Sequence, residues 1–180
     1  MVRLPTARSA IPAVPELIAA GILGDGISLS LSTLMLVAKL QHITALPMPL
    51  SVAFAAHLFG KATLGKTLLL PIGLLLHVGY VSTATVIAAV VFRRHRGFAA
   101  AFGTALVLWM LAGVSILPYV GWGLFGLGLG AGAAGNVLAV HLLYGAFLWA
   151  GFWLAFRTSP SEKPAESARA PVTTAAGVHR

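Results

Sequence analysis

The sequence contains no cysteine among its 180 residues. Disulfides, thiolate nucleophiles and thiolate metal sites are therefore excluded. Charge is nearly as scarce, with only 9% of residues Asp, Glu, Lys or Arg, against roughly 25% in a soluble globular domain. So few ionic groups cannot coat a water-soluble particle when 58% of residues are hydrophobic. The mean hydropathy of +0.93 makes lipid the solvent for most of the chain. Acids are the rarest charged type, four against twelve Lys and Arg. No paired carboxylates, Ser/His/Asp triad or Walker-type loop can be read from the sequence, so no residue pattern names an enzyme's chemistry.

The formal net charge of +8 does not indicate a nucleic-acid partner. The basic residues form no face with interleaved aromatics. They sit at the ends of apolar runs: Arg3 and Arg8 first, then Arg93, Arg94 and Arg96, then Arg157, Lys163, Arg169 and Arg180. That is the pattern of loops retained on the cytoplasmic side of a membrane. The first apolar run is interrupted by Pro12, Pro15, Glu16 and Asp25, which a cleavable signal peptide would not be. It reads as a retained membrane helix.

A helix needs about 20 apolar residues to cross the hydrocarbon core. Four segments meet that length, approximately 16–40, 67–92, 98–117 and 135–156. Two shorter apolar stretches separate them, LPMPLSVAFAAHLFG at 46–60 and YVGWGLFGLGLGAGAAG at 119–135. Their length, prolines and glycines suit interfacial or re-entrant segments better than spans. The expectation is an all-α membrane protein: one four-helix transmembrane domain over residues 1–157. Residues 158–180, rich in proline, serine and alanine, read as a disordered cytoplasmic tail. Keeping the RRHR turn (93–96) and both termini inside gives an N-in, C-in topology in a bacterial inner membrane. Lys39, Lys61 and Lys66 on the opposite side fit that scheme only by snorkelling along the interface.

Long helix, short apolar stretch and long helix with His-x-x-Tyr occur twice, with His77 and His141 64 residues apart. Such an arrangement would be a parallel 2+2 repeat. In each motif the histidine and tyrosine stand at i, i+3 and share a helix face. His77 with Tyr80 and His141 with Tyr144 are therefore candidates for a buried polar centre. Asp25 joins them as the only acid deep inside a long apolar run, with Ser28 and Ser32 on its helical face. Intramembrane acids are rare and mark proton or cation sites. Two histidines at matching depth would also suit axial ligation of a b-type haem or a metal ion. Hydrogen bonding that only fixes helix packing is the plainer alternative. His57, in the first short stretch, is a secondary candidate. GLGAGAAG (127–134) imitates a dinucleotide fingerprint but has no βαβ unit around it.

HLLYG (141–145) resembles a helix found in a loose group of small multi-pass integral membrane proteins of bacteria and archaea, in which His-x-x-Tyr-Gly is followed by small residues. His141, Tyr144 and Gly145 match, whereas His77 and Tyr80 match with Val81 in place of the glycine. The resemblance implies a multi-helix membrane layout and no particular activity. The reading that follows is a transporter-like or accessory membrane component. Its alternatives are a haem-binding redox subunit and a structural subunit of a larger membrane complex. The bilayer is its first partner, and a homo-oligomer or a membrane complex is compatible with so small a bundle.

Overall fold

In a computed structural model, residues 14–156 are described. They are helical, with no strand among them. Helix α1 runs Val14–Leu40, α2 Leu50–Phe59, and α3 Lys61–Val91. After the arginine turn come α4 (Phe98–Leu111), a π-helical turn (Ala112–Ile116), α5 (Leu117–Tyr119), a 3₁₀ segment (Leu124–Leu129) and α6 (Ala131–Ala155). Four stretches are long and apolar enough to cross a bilayer: Val14–Leu40, Thr67–Val91, Phe98–Tyr119 and Ala131–Ala155. The expected tail at 158–180 and the basic N-terminal residues lie outside the described residues.

Two boundaries differ from those expected. The third span does not end before Pro118 but runs through it to Tyr119. A proline lacks the N–H that would bond back along the helix. The π-helical turn just upstream widens the coil so that the Leu117 N–H reaches the Ala112 carbonyl. The fourth span starts at Ala131 rather than near 135, because Gly130, at φ 102°, turns the chain directly into the helix. The second span starts at Thr67, as expected: helix α3 begins at Lys61, but Gly65 breaks it at φ 62°.

The bundle is built from two antiparallel pairs. Helix α1 lies along α3, α4 along α6, and α1 also meets α6, joining the pairs. With no hydrophobic effect between helices in lipid, association depends on close packing, which small residues permit. Gly24 shows the requirement: a Cβ there would stand 2.5 Å from the Ser82 Cα. The main core joins Ala20, Ile27, Val81, Ala105, Leu148 and Phe152 from all four spans. Around it, large side chains such as Ile22, Leu75 and Leu154 are turned outward, forming the apolar exterior that a bilayer would cover.

The two ends of the bundle are held differently. At the arginine end, Glu16 takes an ion pair from Arg93 at 3.0 Å and a second from Arg96. Arg96 also donates to the Ala89 carbonyl at 2.9 Å and lies 4.0 Å above the Phe156 ring. One guanidinium thus ties the start of α1, the end of α3 and the end of α6. At the glycine end the contacts are mostly apolar, among Leu46, Ala53, Leu117, Trp122 and Val137. There Trp109 packs on Phe125 with ring centroids 4.7 Å apart. Lys39 folds over the connection to α2 and donates to the Pro47 carbonyl at 2.9 Å.

Candidate functional site

Ser28, on the buried side of α1, is fully covered, and Ser32 lies one turn further on. Both hydroxyls converge on the Nδ1 of His77 from α3, at 3.1 Å and 2.9 Å. The i, i+4 spacing of the serines places both on one face of α1, and this face meets α3. The serines that sequence periodicity grouped with Asp25 thus belong to His77.

On α6, His141 is held by its own helix. Its Nδ1 lies 2.8 Å from the Val137 carbonyl. A carbonyl only accepts, so Nδ1 carries the proton and donates it, and in the neutral ring Nε2 holds the lone pair. At His77 the assignment is freer, because serine hydroxyls both donate and accept. Tyr144 is buried, and its hydroxyl meets the fully buried Thr85 hydroxyl of α3 at 3.3 Å. A serine–His77 cluster thus joins α1 to α3, a Thr85–Tyr144 pair joins α3 to α6, and His141 stands one turn before Tyr144 on α6.

Two expected members stand apart from these contacts. Asp25 is exposed on the outer flank of α1 and accepts a hydrogen bond from Ser82 of α3. It is not part of a buried centre: it lies at the exposed edge of the α1–α3 contact, where Ser82 of α3 reaches its carboxylate. Tyr80 is 39% exposed, at the edge of the same helix whose histidine faces inward. His57 packs edge-on against Tyr119 with centroids 4.6 Å apart. It lines a cleft of about 130 Å³ with Met48, Lys61 and Trp122 at the glycine end, away from the other histidines.

Three polar residues escaped sequence reasoning. Ser82 and Thr85 belong to the hydroxyl-rich run STAT (82–85), a visible signal inside an otherwise apolar helix. Asn136 donates to the Thr44 hydroxyl at 2.8 Å. That pair closes the polar end of a cleft of about 220 Å³ lined by Leu31, Met35, Val140 and Leu143. None of Ser28, Ser32, His77, His141 or Tyr144 lines this cleft.

The chemistry available follows from the ring nitrogens. Both imidazoles are engaged through Nδ1, and neither Nε2 has a protein partner among the described residues. At His141 a proton taken up at Nε2 breaks no existing hydrogen bond, because Nδ1 keeps donating to the Val137 carbonyl; at His77 the same holds for the tautomer that donates from Nδ1 to a serine hydroxyl. The same anchoring is the usual preparation of an imidazole for ligation through its other nitrogen. Among the described residues, no group of three or more His, Asp or Glu is placed to hold a metal ion. No protein-family model, curated protein or solved structure matches this chain.

Proposed function

We propose that the protein is a transporter-like, multi-pass component of a bacterial inner membrane, in which His77 and His141 bind and release protons beside a cleft for a small solute. The observation that carries this reading is the anchoring of both rings through Nδ1, which leaves Nε2 of each without a protein partner among the described residues and, at His141, basic. Ser28, Ser32 and Thr85 with Tyr144 supply hydroxyls that reorient as protons move. The topology is N-in and C-in, with Arg93, Arg94 and Arg96 on the cytoplasmic side, following the distribution of basic residues.

The test is proton flux into liposomes carrying the purified protein, followed by a trapped pH-sensitive dye under an imposed gradient. Wild type is expected to exceed protein-free liposomes, and the His77→Ala/His141→Ala double variant to fall to their level. Equal flux in wild type and double variant removes the reading.

The free Nε2 atoms also favour a second reading, a b-type haem on His77 and His141. Two neutral imidazoles, each oriented by an Nδ1 partner, fit axial ligation in donor type. Haem would supply one-electron chemistry when bound, while the serines and the Val137 carbonyl hold the rings in place. Purified protein would then show a Soret band that is lost in either His→Ala variant. Colourless, folded protein that takes up no haem on titration eliminates this alternative.

A further inference from the structure

Asp25 lies eleven residues from Val14 and fifteen from Leu40, about 16 Å and about 22 Å from the two ends of its helix. It is thus near the middle of a membrane span, and it is exposed. The Ser82 hydroxyl gives it one donor, whereas a carboxylate can accept several hydrogen bonds. A carboxylate at this depth is costly unless it is paired, and such acids ordinarily face a partner or a wet cavity.

We propose that Asp25 is a docking point for a different membrane protein, whose transmembrane helix carries a lysine or arginine near its centre. The partner's chemistry follows from charge complementarity. Among the described residues every Lys and Arg stands at a helix end or in the arginine turn: Lys39, Lys61, Lys66, Arg93, Arg94 and Arg96. A second copy of this chain set against the same flank would therefore bring, among the described residues, another carboxylate and no lysine or arginine at this depth. The flank also has room for a close neighbour. A Cβ added at Gly21 or Gly26 of α1, or at Gly79 of α3, would meet nothing within 4 Å. Ile22 and Leu29, both more than half exposed, supply apolar contact around the acid. Small residues beside a polar group are what allow two membrane helices to approach closely enough to share hydrogen bonds. This surface is separate from the His77–His141 centre and does not depend on its function.

The full chain, donor-labelled in liposomes, is titrated with acceptor-labelled leucine–alanine peptides of about 20 residues. These carry a single central Lys, Leu or Glu. The Lys peptide is expected to give saturable energy transfer, weakened about tenfold by Asp25→Asn and retained by Asp25→Glu. The Leu and Glu peptides should give only the transfer expected of random mixing. Equal binding of the Lys peptide to wild type and Asp25→Asn overturns the proposal, as does a wild type that does not distinguish Lys from Leu. Energy transfer between differently labelled copies of the protein, abolished by Asp25→Asn, would also overturn it by making a second copy the occupant. The Asn variant keeps a group able to bond Ser82, and protease protection of all variants checks that the bundle is intact.

Discussion

His77 with Tyr80 on α3 and His141 with Tyr144 on α6 are the same four-residue motif in two different settings. His77 is held from outside its helix by two serines of α1, and its tyrosine stands at the bundle's edge. His141 is held by its own backbone, and its tyrosine is buried against Thr85 of α3. One motif uses its histidine to bind a neighbouring helix and the other uses its tyrosine. An identical spacing therefore fixes which residues share a face, while the neighbouring helix decides which of them is structural.

The largest effect that separates the two motifs is expected from Gly24→Leu. Its Cβ would collide with the Ser82 backbone and push α1 from α3, with a loss of about 1–3 kcal/mol or more. Unfolding in mixed micelles would measure it. The serine contacts of His77 should fail in this variant while the His141–Val137 contact persists. Next comes the Ser28→Ala/Ser32→Ala pair, which strips His77 of both hydroxyls. About 1–2 kcal/mol is expected for the double change, with a smaller loss for either single change because the other serine still reaches Nδ1. Val137→Ala is the matching control on α6 and should leave His141 untouched, since the acceptor there is main chain. The smallest effect lies with the tyrosines. Tyr144→Phe leaves Thr85 without its cross-helix partner and should cost about 0.6 kcal/mol, while Tyr80→Phe should be neutral in the same unfolding series. Equal losses at the two tyrosines would erase the distinction between the motifs.

The four spans were legible in the sequence because a run of apolar residues between arginines has few alternatives in a bilayer. Their ends were less so. Pro118 reads as a stop, and only the π-helical turn beside it lets the helix continue. The histidines and serines could be nominated from sequence, but their pairing could not, because helical periodicity gives azimuth and not the depth at which two helices cross. Asp25 and Ser32 share nearly one azimuth on α1, yet Ser32 bonds His77 within the α1–α3 contact while Asp25 lies exposed at its edge. Glu16 looked like an interruption in an apolar run. It is instead the anion on which Arg93 and Arg96 converge, a role that needed the 80-residue separation between Glu16 and Arg96 to be closed by the fold.

The account rests on both imidazoles being engaged at Nδ1 with Nε2 free, and nitrogen-15 NMR of labelled histidine in bilayers reads this directly. With the His141 signal assigned by its loss in His141→Ala, the neutral ring is expected to be protonated at Nδ1 and bare at Nε2. A neutral His141 protonated at Nε2, with a lone pair turned toward the Val137 carbonyl, would contradict the account.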